Sequence, residues 1–348
     1  MRSLLTLTLV LLQTADAFVS PVSIGKIAAS SIPIHASSSA SNDDNSSSMK
    51  RRDFVTASST LISGLSFFPS SQPAFADDGT SISNNGPIVV IGANGRTGSE
   101  CVGACNDRGI PVVATSRGGV YTGAYGTSNV RSKVCDVTNA GTISSAIEGS
   151  RAVIFAASAS KQGGTPNAVD NLGLVNVAEA CIKQNIPQLV IVSSGAVTKP
   201  DSPVFKFLNI FGKIMEEKIK GEDAVRALYA KNGSDKCTYC VIRPGGLTEE
   251  VGKGVSSLEL NQGDVKSGRI ARADVASLCI EATKYPSLTG ATTFECYDGD
   301  TGKPLQSVGI SNIMKQKNTS SSEVFMSGKE RRGATFEEIF TGLEKDFS

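Results

Sequence analysis

Seven consecutive residues, Gly92-Ala93-Asn94-Gly95-Arg96-Thr97-Gly98, have the composition of a phosphate cradle. A glycine where the chain must turn sharply (Gly92), one where backbone must approach a ligand (Gly95) and one where helix packs on strand (Gly98) together wrap a pyrophosphate, which the free N–H groups of the following helix then hold. Asn94, Arg96 and Thr97 stand between these glycines and are expected to contact the same ligand. Further on, Ser116-Arg117 occupies the position where a chain that binds an unphosphorylated ribose carries Asp or Glu. An arginine there clamps a 2′-phosphate, so NADP is expected in preference to NAD; the competing reading is a solvated loop arginine. Asp136 is placed to accept from an adenine amino group, and Val137, Ala156 and Ala157, on the next strand ends, are expected beside the cofactor.

Other chemistries are excluded by what the chain lacks. Its one histidine, His35, lies in a front segment expected to be removed, and there is no Trp. Histidine triads, histidine general bases and histidine-ligated metals are thereby ruled out for the working protein, and no metal site is expected. All eight cysteines lie beyond residue 76, mostly in apolar runs, and read as buried small hydrophobes. Cys237 and Cys240 imitate a redox pair, but on a strand positions three apart point to opposite faces, and no other ligands stand near in sequence.

A glycine loop is informative only between a strand and a helix. Residues 87–91 (Pro-Ile-Val-Val-Ile) form a β-branched run directly before it, and residues 99–107 a helical pattern directly after. Further strands are expected at 111–115, 132–137, 152–157, 188–193 and 238–243, with helices at 142–147, 167–183 and 205–230. Such alternation predicts an α/β fold, a Rossmann-like doubly wound parallel sheet with helices on both faces. With 34 basic against 33 acidic side chains, and no basic stripe with interleaved aromatics, nucleic acid is not an expected partner.

Residues 1–76 differ from the rest: they hold no Glu and are crowded with Ser and Ala. Residues 1–17 read as a signal peptide, a lone Arg2 before an apolar run that ends in Ala15-Asp16-Ala17. Residues 18–48, opening on Phe18 and nearly free of acid, resemble the transit peptide of secondary, red-derived plastids. Residues 49–76 carry Arg51-Arg52, a modest apolar stretch and Ala74-Phe75-Ala76, the marks of a twin-arginine signal into the thylakoid lumen; the alternative is ordinary transit sequence that leaves the protein in the stroma. A linker is expected at 77–86, the dinucleotide-binding domain at 87–300 and a helical extension at 301–348.

The glycine loop, Val192-Ser193-Ser194-Gly195, Val241-Ile242-Arg243-Pro244-Gly245-Gly246-Leu247 and Arg272-Ala273-Asp274-Val275-Ala276 occur in an order and spacing that resemble the atypical short-chain dehydrogenase/reductases, in the NmrA-like and Tic62-like branch that binds NAD(P). The resemblance covers roughly residues 87–298. It implies that Pro244 faces the nicotinamide side and that Asp274 opens a helix. Members of the wider superfamily protonate substrate with a Tyr assisted by a Lys one helical turn later. Alignment on Arg243-Pro244 brings Lys218 and Glu222 to those two places, with no Tyr. The expected catalytic group is therefore Ser193, Ser194, Lys218 and Glu222, in an oxidoreductase acting on a small plastid metabolite. A non-catalytic dinucleotide-binding protein, reporting redox state or assisting assembly of a thylakoid complex, is the alternative. The sequence names no substrate; thylakoid membrane association and a monomer or weak homo-oligomer complete the expectations.

Overall fold

The computed structural model describes residues 86–125, 129–160, 163–210, 212–234, 236–308 and 325–347. The chain divides into two units, Met1–Ala74 and Phe75–Ser348, and every described residue belongs to the second. The three address segments expected within 1–76 lie outside the described residues. Among the described residues no helix is long and apolar enough to cross a membrane.

Strands β1 (Ile88–Ile91), β2 (Val112–Ser116), β3 (Val130–Val134), β4 (Ala152–Phe155), β5 (Gln188–Val192), β6 (Thr238–Pro244), β8 (Leu258–Asn261) and β11 (Thr292–Asp298) form one sheet in the order β3-β2-β1-β4-β5-β6-β11-β8. All neighbours pair in parallel except β8, which runs antiparallel to β11 at the edge. Two short pairs lie outside this sheet: β7 (Gly246–Thr248) with β10 (Arg269–Ala271), and β9 (Lys266–Ser267) with β12 (Lys303–Pro304).

Eight helices accompany the strands in the described residues: α1 (Arg96–Asp107), α2 (Ala140–Ile147), α3 (Leu172–Lys183), α4 (Pro203–Asn209), α5 (Ile214–Asn232), α6 (Arg272–Ala282), α7 (Pro286–Thr289) and α8 (Phe336–Phe340). The Ile-Val-Val-Ile of β1 is buried throughout because both faces of the sheet are covered. Ile88 and Val90 join a core with Cys101, Cys105 and Cys279 from α1 and α6, while Val89 and Ile91 join one with Ile143, Val177 and Val225 from α2, α3 and α5. Strand order reverses between β2 and β4 on either side of β1, which opens a crevice at the carboxyl ends of β1 and β4, where such folds bind ligands.

Four features depart from the sequence expectations. The third strand ends at Val134, because the Asp136 carboxylate accepts from the Thr138 amide and closes a turn at once. The single helix expected at 205–230 is two, α4 and α5, divided where Gly212 and Lys213 both have positive φ (71° and 63°). Asn167–Asn171 forms a π-helical turn before α3. Described residues of the C-terminal segment contain one α-helix of five residues, α8, opened by a Thr335/Glu338 capping box, and a single 3₁₀ turn at Leu305–Ser307.

Candidate functional site: the crevice at the strand ends

At the crevice the chain leaves β1 through Gly92, whose φ of 84° suits glycine, and a Cβ there would stand 2.7 Å from the Ala157 backbone. Gly98 is held tighter still: a Cβ would lie 2.2 Å from the Gly92 carbonyl oxygen, so helix and strand meet backbone to backbone. Gly95 differs. A Cβ there would meet only the Gly92 carbonyl, at 3.1 Å, and the remaining space is open. Gly95 is also the N-cap of α1 and provides no side-chain cap, leaving first-turn amides without that partner. An open glycine before an uncapped helix start fits a pyrophosphate.

Asn94 ties this loop to the segment after β2: its amide donates to Val120 O at 2.9 Å and its carbonyl accepts from Thr122 N at 2.9 Å. Arg96 reaches the other way, to Glu249 at 3.0 Å, and Arg272 at the start of α6 meets the same carboxylate at 2.6 Å. Thr97 is half-buried beside it. Arg117 is exposed one residue beyond β2, with no acidic residue at 116–118. The Asp136 carboxyl is held below its ordinary value by the Thr138 amide and hydroxyl, with a smaller contribution from Arg117. Ala156 and Ala157 lie half-buried at the end of β4. Val137 instead turns its side chain into the core, against Gly173 of α3.

Of the expected catalytic residues, Lys218 and Glu222 lie one turn apart on α5, and Ser193 joins Glu222 from the end of β5. Lys218, with only 12% of its side chain exposed, pairs with Asp170 at 2.8 Å. That buried carboxylate also accepts from Ser158 Oγ at 2.7 Å and from Ala159 N at 2.8 Å, just past β4. Glu222, one turn after Lys218, is fully buried. It accepts from Ser193 Oγ at 2.5 Å, from Arg243 Nη2 at 2.6 Å and from Arg226 Nη2 at 2.8 Å. Burial pushes the Glu222 carboxyl up, but the two guanidinium groups outweigh it and the group lies below its ordinary value. Ser194 Oγ donates to Gly195 O at 3.1 Å, and Gly195 N donates to Pro244 O at 2.9 Å, which locks the end of β5 to the end of β6.

Behind these groups runs a buried polar chain that sequence reasoning missed. Arg243 also pairs with Glu295 at 3.3 Å, Glu295 accepts from Asp264 N at 2.9 Å, and the Asp264 carboxylate receives Ala196 N and Thr198 N at 2.6 and 2.9 Å. The loop after β5, where Ala196 has a φ of 69°, is thus held from below by Asp264. Burial, with Asp264 adding, pushes the Glu295 carboxyl up to about 7. One signal was available: an arginine inside an apolar strand, as in Val241-Ile242-Arg243, requires a buried carboxylate partner.

Tyr229 and Tyr239 are both buried in the core beneath α5, the latter donating to Asp346 at 2.8 Å. Cys237 and Cys240 contribute to opposite faces of the sheet, and all eight cysteines are buried free thiols. Among the described residues no cluster of His, Cys, Asp or Glu is arranged to hold a metal. Asp274 lies in the first turn of α6 and accepts from Lys253 N and Gly254 N, pinning the loop that follows Glu249.

Residues 92–286 match the model of a family described as NAD(P)H-binding. An uncharacterised chloroplastic protein of Arabidopsis thaliana is 30% identical over 206 residues, 56% of this chain and 71% of that protein. The sanguinarine reductase of Eschscholzia californica is 35% identical over 127 residues, 35% of this chain and 42% of the reductase. Among solved structures, a putative NAD-dependent epimerase/dehydratase from Bacillus halodurans superposes with a TM-score of 0.50 at 23% identity, covering 64% of this chain and 98% of that one, a likeness of fold. From the glycine loop to the Arg-Ala-Asp-Val-Ala helix, the chain belongs to the NAD(P)H-binding family, within the atypical, NmrA-like short-chain dehydrogenase/reductases.

Proposed function

We propose that this protein is an NADP-dependent reductase of a small, largely apolar plastid metabolite. The observation that carries the reading is an open, uncapped glycine loop packed against Ala157, with a buried ionisable pair, Lys218 and Asp170, anchored to Ser158 and Ala159 just beyond it. Gly92 to Gly98 and the α1 amides would hold the pyrophosphate, and Arg117 the 2′-phosphate. A bound nicotinamide supplies the hydride. The chain itself must then orient the substrate, exclude water and deliver a proton. Lys218 is the donor in this corner, and Asp170, fixed by Ser158 and Ala159, aims its ammonium group. Glu222 is a positioning residue: enclosed by Arg243, Arg226 and Ser193, it reaches substrate only through Ser193. That a reductase is among the relatives supports the reaction class, and the chloroplastic relative supports a plastid address.

The test is NADPH consumption by the purified protein across a panel of quinones and carbonyls, followed at 340 nm as the absorbance of NADPH, about 10²-fold slower in Lys218→Gln, the usual contribution of a positioned acid. NADPH binding without turnover of any compound would favour the second reading, a dinucleotide-binding protein that senses redox state. The burial of both nearby tyrosines is the observation on its side. For the compartment we propose the thylakoid lumen, reached through Arg51 and Arg52. A reporter fused to residues 1–76 should stop short of the lumen when both arginines become lysine, since the receptor reads guanidinium geometry. Unchanged delivery would assign the protein to the stroma.

A further inference from the structure

Ser193 has one proton to give, and its destination is defined. Its Oγ donates to Glu222 Oε1 at 2.5 Å, while Glu222 Oε2 takes Arg243 Nη2 at 2.6 Å and Arg226 Nη2 at 2.8 Å. A fully buried carboxylate between two guanidinium groups is an anion, and an anion only accepts. A serine hydroxyl carries one donor and two acceptor lone pairs. With the proton committed inward, Ser193 offers lone pairs to the crevice. Its backbone N–H is committed as well, to Ile242 O at 2.8 Å. Lys218, by contrast, brings only donors.

We propose that Ser193 acts solely as a hydrogen-bond acceptor towards the substrate, so that the site selects compounds carrying an N–H or O–H donor beside the group being reduced. Glu222, Arg243 and Arg226 are the positioning set that fixes this polarity. The inference takes from the reductase reading only the location of the substrate. A carbonyl directed at Ser193 would have to draw the proton away from Glu222, giving up a charge-assisted hydrogen bond. An N–H or O–H is received with the network undisturbed. Lys218 and Glu222 are four residues apart on α5 and so share one face of that helix, Glu222 holding Ser193 and Lys218 held by Asp170.

The experiment measures binding of matched probes to the purified protein saturated with NADP⁺: indole against benzofuran, and 2-naphthol against 2-naphthaldehyde. The donor-bearing member of each pair should bind ten- to a hundredfold tighter, about 1.4 to 2.8 kcal/mol. Ser193→Ala should equalise the pairs and Ser193→Thr should retain the preference. Glu222→Gln turns an amide N–H₂ towards Ser193, reverses its hydroxyl and should invert the preference, which a purely structural role for Glu222 would not do. Equal binding within each pair by the unaltered protein, including no binding of either member, overturns the proposal, as does an unchanged donor preference in a folded Glu222→Gln. If circular dichroism shows that variant unfolded, the two Ser193 variants decide alone. NADP⁺ binding is recorded separately: should it fail, the cofactor reading falls, and the pairs are compared on the free protein, where the donor preference stands or falls by itself.

Discussion

At the scale of single residues, the three loop glycines are not equivalent. Gly98 and Gly92 are closed in by backbone at 2.2 and 2.7 Å, so side chains there would disrupt the seat of α1 on the sheet. Gly95 faces open space. Gly95→Val should therefore leave a folded protein, seen as unchanged circular dichroism, that no longer binds NADPH, because the isopropyl group fills the place of the pyrophosphate. Normal binding by this variant would make the loop a structural turn only. In the proposed reading Arg117 sets a different property, the choice between cofactors. The protein should prefer NADPH to NADH, and Arg117→Ala should remove about 1.5–3 kcal/mol of that preference, the contribution of a hydrogen bond to a charged group. Calorimetry giving equal affinities before substitution would refute this.

At the scale of elements, the sheet was legible because its strands are short apolar runs bounded by turn residues: all six expected strands are present, and only the third is displaced, to Val130–Val134. Three things were not legible. The break between α4 and α5 depends on Lys213 accepting a left-handed conformation that its side chain does not announce. The antiparallel β8 alternates Leu258 and Leu260 with Glu259 and Asn261, an unremarkable pattern until Lys266, Arg332 and Tyr297 are seen to satisfy Glu259 in the interior. Asp170 lies within the stretch 167–183 expected as a helix, and it reaches Lys218 from a π-helical turn that the pattern does not announce. In the same way, Arg243, Glu295 and Asp264 are joined across three elements, and that union has a consequence for pH. Glu295 titrates in the folded protein at about 7, above its ordinary 4.5, because it is buried beside Asp264. Between those values the folded protein holds a proton that the unfolded chain has released, so stability should fall as pH rises from about 4.5 through 7. The expected slope is on the order of 1 kcal/mol per pH unit, and Glu295→Gln should flatten it. Thermal melts from pH 5 to 8 measure this directly; a melting temperature that rises over the range would disprove the assignment.

At the scale of the whole molecule, the described C-terminal residues are part of the sheet's edge. β8 covers β11 only from Glu295 to Asp298. Beside the first part of β11, Lys345 bridges Thr292, and the Asp346 carboxylate accepts from Tyr239, Thr293 and Arg226 at 2.8, 2.7 and 3.3 Å. Asp346→Ala should destabilise the fold by about 1–3 kcal/mol, since it strands the Tyr239 hydroxyl and frees Arg226 from one of its carboxylates, and urea titration would register the loss. A variant as stable as the parent would mean that water replaces the carboxylate without cost. Because this closing piece follows β11 in the chain, the ribosome completes the strand before it makes the strip that seals its edge. Until that strip emerges, the nascent chain carries an unpaired stretch of strand, the kind of surface on which neighbouring chains adhere. A bulky insertion beside Asp346 would press on that seam, whereas one placed ahead of β1 would leave it free.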